Sequence, residues 1–304
     1  MNQKTLKTEF SLSGKGLHTG LTIHAVFRPA PIGTGIRICR TDLPDKPCHS
    51  AVAKYVTATE RGTVLSCGEW KVSTVEHALS ALFAKGITNC LIELDAPEMP
   101  ILDGSAKPFI NAILQAGTEE QNEEAAYLTF DKKIEYTAQS GSQYVIEPAD
   151  EPQYEVEISF PGQLLHDQRA ELMHLDDYAE EISYARTFCF VREIAYLLDK
   201  GLIKGGDLEN ALVIYEQPIP QEAMDQLTDH LGQPRQDATK LGYLSALHFE
   251  NEPARHKLLD MIGDFALLGW RIHGKISAVR PGHGGNTECC RSLADALDYP
   301  YEIV

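Results

Sequence analysis

The segment Ala254-Arg-His-Lys-Leu-Leu-Asp-Met-Ile-Gly-Asp-Phe-Ala-Leu-Leu-Gly269 constrains this chain more than any other. Read as a helix, it places His256, Asp260 and Asp264 four residues apart on one stripe. Leu258, Leu259, Ile262, Phe265 and Ala266 cover the opposite side, while Met261 and Leu268 border the stripe itself. A helix of that kind is almost wholly buried and carries a charged seam inside the protein. Buried charge is costly unless it is paired or binds a metal. An imidazole and a carboxylate at i and i+4 can converge on one divalent ion. A salt-bridged helix side explains the same spacing equally well, so further ligands elsewhere in the chain are needed to separate the two.

The 304 residues, 43% of them hydrophobic, are enough for two medium domains with their own cores. A net charge of −17 excludes a general nucleic-acid binder, and an anionic substrate would need a local basic pocket. The seven cysteines are scattered, contain no C-x-x-C pair and are odd in number, which predicts reduced thiols rather than a disulfide framework. Cys289-Cys290 reads as two buried spectator thiols. The first ten residues lack the apolar core of a signal peptide, and no run approaches the roughly 18 apolar residues of a membrane span. A soluble, cytoplasmic protein is expected.

Along the chain, Thr22–Arg28 alternates as a strand with Ile23, Ala25 and Phe27 on one face, and Ile36–Cys39 is a second strand. Ser13–Gly20 is glycine-rich but lacks the Walker pattern, so it reads as a turn. Lys71–Gly86 predicts a helix. Ser73 and Glu76 there have capping-box spacing, which accounts for the glutamate but not for His77 beside it. Histidine on a metal with a neighbouring glutamate acting on water is the chemical alternative. After the strand 89–94 and a helix over 108–117, the acidic run 118–124 shows no periodicity and reads as a linker. The second half begins with strands at 127–130, 144–147 and 154–160. A short helix over 191–201, a strand at 211–215, a polar surface excursion over 216–240, the opening helix, a strand at 275–280, a Gly-His loop at 281–286 and a closing helix leading to Tyr301 follow. Strands followed by helices in each half predict an α+β fold. The halves show no sequence repeat.

Gly16-Leu-His-Thr-Gly20, Ser73-Thr-Val-Glu-His77, Asp103-Gly-Ser105, Ala185-Arg-Thr-Phe188, His256-Lys-Leu-Leu-Asp260 with Asp264, and Gly282-His283 occur in that order. With these motifs the whole chain resembles the UDP-3-O-acyl-N-acetylglucosamine deacetylases, zinc amidases of lipid A biosynthesis that supply the Gram-negative outer membrane. The resemblance implies two domains, 1–122 and 126–304, each a β-sheet layered against two α-helices. It also implies small inserts around the active site, one of them over 188–215, which lines a hydrophobic passage for an acyl chain.

By matching motif, the resemblance makes His77, His256 and Asp260 the Zn2+ ligands, leaving one position open as a catalytic zinc requires. It makes Glu76 the general base and His283 the cationic acid for the departing amine, held by Asp264. Thr187 would donate to the oxyanion. Lys257, pointing off the ligand stripe, would meet the substrate's diphosphate. Phe188 would line the substrate site, and Phe160 would stack on the uracil. His18 is expected to position its loop rather than react. The implied partner is a small molecule, a UDP-linked acylated amino sugar. Some family members carry a fused C-terminal dehydratase, and the end at Val304 is where a deacetylase unit is expected to stop. The alternatives are a zinc amidase acting on another N-acetylated nucleotide sugar and a non-catalytic UDP-lipid binder. The second predicts loss of a ligand or of Glu76, and all are present.

Overall fold

The protein is described by a computed structural model over residues 1–161, 164–194, 204–230, 232 and 234–296. Two five-stranded sheets organise it. The first contains β1 (Phe10–Lys15), β2 (Thr22–Pro29), β3 (Ile36–Arg40), β4 (Cys48–Ser50) and β5 (Cys90–Leu94), in the order β1-β2-β5-β3-β4. The second contains β6 (Ile134–Thr137), β7 (Gln143–Glu147), β8 (Gln153–Ile158), β9 (Gln168–Leu172) and β10 (Lys275–Val279), in the order β6-β7-β10-β8-β9. In each, two antiparallel hairpins flank a late strand that runs antiparallel to one hairpin and parallel to the other. The halves therefore share one topology, although their sequences show no repeat. Alternation sets the inner faces: Ile23, Ala25 and Phe27 of β2, and Tyr154, Val156 and Ile158 of β8, are buried.

Two helices accompany each sheet, α1 (Glu76–Ala84) and α2 (Lys107–Ala116) in the first half, α3 (Glu252–Phe265) and α4 (His283–Ala296) in the second, and the second half has further helices at Tyr178–Glu181 and Gln221–His230. Helix α2 packs on α1 and β1, and α3 on α4, β8 and β9. The halves meet chiefly where α1 packs against α3. All nine residues of α1 are buried, as are all but two of α3. Leu258, Leu259, Ile262 and Phe265 of α3 are fully buried, each contributing roughly 1.5–3 kcal/mol. Gly263 allows the close crossing, because a Cβ there would lie 2.1 Å from the Glu76 carbonyl oxygen. The α-helix ends at Phe265, and Ala266–Leu268 continue as a 3-10 turn closed by Gly269 at φ 77°.

Each half also carries a three-stranded insert between its second hairpin and α1 or α3. The first is an antiparallel meander of Val56–Ala58, Val64–Cys67 and Trp70–Ser73. The second joins Phe188–Phe190 parallel to Leu212–Tyr215, with Gly242–Tyr243 antiparallel at the edge.

Several expectations are corrected. The acidic run expected to be a linker is the strand Thr118–Glu124, paired antiparallel with Asn2–Leu6. Nearly all its side chains are exposed, so no burial pattern marks it in the sequence. Cys39 and Cys48, expected as thiols, form a disulfide. They face one another across the β3–β4 hairpin, a register that their separation of nine residues does not reveal. The other five cysteines are free. Within the excursion 216–240, Gln221–His230 is helical, and its Met224 packs with Val213 and Tyr215. Ser13–Lys15 of the expected turn belong to β1. Of the helix expected over 191–201, residues 191–194 are helical and the remainder lies outside the described residues, as do 297–301 of the closing helix. No described helix is long and apolar enough to cross a membrane.

Candidate active site

Helix α1 starts at Glu76, two residues after Thr74, which has a left-handed backbone at φ 58°, a conformation that costs a non-glycine residue energy. The expected capping box does not form. The helix begins two residues later than that motif assumes, so Glu76 is its first residue rather than its third. Ser73 Oγ donates instead to the Pro97 carbonyl at 3.3 Å, and Glu76 Oε2 accepts from the Thr63 backbone N–H at 3.1 Å. The first turn of α1 is thereby left to point Glu76 and His77 at α3.

Opposite them, His256 Nε2 lies 3.3 Å from Asp260 Oδ1, and His77 Nε2 lies 3.9 Å from the same oxygen. The two imidazoles meet edge to face with centroids 5.1 Å apart. Ligand atoms of His77, His256 and Asp260 all fall within 4.8 Å of one another. Asp260 Oδ1 is buried with no hydrogen-bond partner among the described residues, an arrangement a bound cation would relieve. His256 Nδ1 sits 3.0 Å from the Ala185 carbonyl. A donated proton there leaves Nε2 free as a lone-pair ligand. Burial pushes the His77 pKa down to about 3, with His256 adding to the shift. Burial lowers His256 as well, against the pull of Asp260. For Asp260, burial acts to raise the pKa but is outweighed by His256, Lys257 and His283, so the carboxylate is held ionised. Neutral imidazoles and an ionised carboxylate are the protonation states a metal ligand set needs. The trio fits a divalent ion.

A second cluster adjoins it. His283 Nε2 lies 3.9 Å from Glu76 Oε1 and 3.7 Å from Asp260 Oδ2, while its Nδ1 is 3.0 Å from Asp264 Oδ2. Burial opposes charge on His283, yet Asp264, Asp260 and Glu76 together raise its pKa to about 9. Burial raises Glu76 to about 7, His283 opposing and Asp264 and Asp260 reinforcing. An acid and a base of suitable strength thus stand side by side.

Glu76, His77, Thr187, Phe188, Phe160, His256, Lys257, Asp260 and His283 all line one cleft of about 430 Å³. Asp264 sits behind it, fully buried. Phe160 meets Phe188 and Phe190 edge-on or tilted, at 5.9 and 5.3 Å, to form an apolar wall that Ile194 and Val213 extend. Lys257, expected off the ligand stripe, reaches one turn forward, with Nζ 2.8 Å from Asp260 Oδ2. The carboxylate is the nearest strong anion, and the lysine stem is long enough to reach it.

Sequence reasoning missed Thr63, Glu98, Glu252 and Asn286. Thr63 Oγ1 donates to Asp264 Oδ1 at 2.5 Å and lies 3.3 Å from His283 Nδ1, while its N–H holds Glu76. Asn286 Nδ2 donates to Asp264 Oδ2 at 2.8 Å and its Oδ1 accepts from the Tyr144 hydroxyl. Glu98 accepts from the backbone N–H groups of His18 and Thr19, both at 2.9 Å, fixing the Gly16–Gly20 turn. Glu252 receives the Arg186 guanidinium at 2.8 and 3.1 Å and the Arg186 N–H at 3.0 Å. That pair anchors the segment supplying Thr187 and the Ala185 carbonyl. A buried carboxylate needs such a partner, but the partners of Glu98 and Glu252 come from remote segments and carry no local sequence signal.

Two histidines and a carboxylate around one point, with a second carboxyl and a cationic imidazole alongside, form the constellation of metal-assisted hydrolysis. The family model of UDP-3-O-acyl N-acetylglycosamine deacetylase matches residues 3–229 and 237–295. The chain is 36% identical over 310 residues to the UDP-3-O-acyl-N-acetylglucosamine deacetylase of Teredinibacter turnerae, covering all of this chain and 93% of that protein. It is 50% identical over 294 residues to the bifunctional enzyme LpxC/FabZ of Porphyromonas gingivalis, covering 96% of this chain. With the corresponding enzyme of Bacteroides thetaiotaomicron it is 49% identical over 296 residues, again covering 96% of this chain. The chain spans 64% of the length of these two bifunctional relatives. It belongs to the UDP-3-O-acyl N-acetylglycosamine deacetylase family.

Proposed function

We propose that this chain hydrolyses the N-acetyl group of a UDP-linked, 3-O-acylated N-acetylglucosamine, releasing acetate and a free amine, as a cytoplasmic step of lipid A formation. The observation that carries the reading is the convergence of the His77, His256 and Asp260 trio with Glu76 and His283 in one cleft. His77, His256 and Asp260 would hold zinc, which when bound polarises the amide carbonyl and eases deprotonation of water. Glu76 takes a proton from the attacking water. His283, kept cationic by the carboxylates around it, stabilises the charge developing on the amide oxygen and protonates the departing amine. Asp264, fixed by Thr63 and Asn286, orients that imidazolium. Thr187 supplies a donor to the same oxygen. Lys257, which exchanges Asp260 for the substrate's diphosphate, and Phe160 with Phe188, which border the acyl chain and uracil, complete the binding surface.

Deacetylation of UDP-3-O-acyl-N-acetylglucosamine by the purified chain, measured before and after chelation and zinc restoration, tests this reading. Activity lost to chelator and returned by zinc is expected. Activity persisting without metal would overturn the mechanism, and none in zinc-loaded protein would transfer the reading to another N-acetylated nucleotide sugar. The bifunctional relatives suggest that this chain too is joined to a dehydratase. The mass of the protein isolated from its own source tests that, 33.7 kDa standing against a longer polypeptide.

A further inference from the structure

A second cavity lies at the other end of α1 from the cleft. It encloses about 120 Å³ between the halves, walled by Leu79, Leu82 and Phe83 of α1 and by Val52 and Leu268, with Arg271 in its lining. Arg271 is only 7% exposed. One guanidinium nitrogen, Nη1, donates to the Phe83 carbonyl at the end of α1, and the group stacks over the Phe83 ring at 4.4 Å. Among the described residues its Nε has no hydrogen-bond partner and no carboxylate pairs with it, the titratable groups acting on its charge being the phenols of Tyr154 and Tyr127. A buried guanidinium with an unused donor is costly. Capping α1 explains Nη1 and leaves the positive charge without a carboxylate counter-ion among the described residues.

We propose that this cavity is a binding site for a short-chain carboxylate, its anionic head on Arg271 and its apolar body against Leu79, Leu82 and Leu268. The chemistry follows from the walls. Guanidinium pairs best with a planar carboxylate. The apolar lining favours a hydrocarbon body over an inorganic anion. Glu124, exposed at the rim, disfavours dianions such as phosphate. The space admits a few carbon atoms, given about 30 Å³ for each water it would displace.

Butyrate is the probe, with uncharged butyramide as control, followed by ligand-observed NMR and thermal unfolding of the full chain. Saturable butyrate binding that raises the unfolding midpoint is expected, with butyramide at least about tenfold weaker. Arg271→Gln should abolish binding. Because that change also removes a cap from α1, Ala126→Trp serves as a second variant. Ala126 is exposed on the cavity lining and remote from the cleft, so the indole closes the cavity while deacetylation continues unchanged. Loss of butyrate binding in Ala126→Trp supports the site. Binding that survives Ala126→Trp, equal binding of butyramide, or no butyrate binding by the unmodified protein would each overturn it.

Discussion

The two halves are built alike and equipped unlike. Both run hairpin, hairpin, three-stranded insert, helix, central strand, helix. Both first helices, α1 and α3, present their chemistry toward their mutual crossing. From α1 come one candidate ligand, His77, and one carboxyl, Glu76. From the second half come His256 and Asp260, the Asp264 support, and His283 at the start of α4. The inserts differ too: the first is an antiparallel meander, the second has a parallel pair and contributes the phenylalanine wall. A duplicated frame therefore fixes where a site can form, while the side chains at equivalent places are free to diverge. The division predicts that loss of His77, His256 or Asp260 removes the metal, whereas loss of Glu76, beside His77 on α1, spares the metal and stops the chemistry.

His256→Ala should show the largest effect, with loss of bound metal in elemental analysis and of essentially all turnover; full metal retention would remove His256 from the ligand set. Glu76→Gln should keep the metal and lower kcat by about 10²–10⁴. Metal loss in that variant would place Glu76 among the ligands rather than beside them. His283→Gln should cost a similar factor and abolish the alkaline limb of the pH–rate profile. The sign follows from the required states: the base acts ionised, so the rate rises through the Glu76 pKa, which is about 7 before a cation lowers it. The acid acts protonated, so the rate falls through the His283 pKa near 9. An unchanged alkaline limb would assign it elsewhere. Gly263→Ala should wedge α1 from α3 at the Glu76 carbonyl, destabilising by about 1–3 kcal/mol in denaturant unfolding; unchanged stability would mean that the helices part without cost. Thr63→Val should be mildest, slowing turnover about tenfold through a misoriented Asp264–His283 pair. Because the metal is not involved, its content should stay constant.

Much of the site was legible because it lies on a helix. His256, Asp260 and Asp264 are spaced at one turn, so local periodicity alone exposes a buried charged seam. His77 was visible because its neighbour offered an explanation that did not extend to it. Thr63 was not legible, since its partners are Asp264 and His283, some 200 residues away in sequence, and a threonine before an ordinary strand carries no mark. The fold was legible where strands alternate, as in β2 and β8. It failed at 118–124, where a peripheral strand buries little and pattern has nothing to act on. The matching topology of the halves left no trace in sequence, because burial fixes only the apolar character of positions such as Phe27 and Val156, not their identity.

The placement of the central strands has a consequence for synthesis. β5 and β10 are each the last strand of their sheet to leave the ribosome, yet each lies between hairpins made earlier. Until it arrives, both hairpins have an open inner edge and nothing joins them. Each half therefore closes only after the helix bearing its candidate ligands has already emerged. His283 comes only four residues after β10. A nascent chain truncated before Lys275 would hold His77, His256 and Asp260 without the sheet that brings them together, so capacity for metal should appear late and abruptly as the chain lengthens.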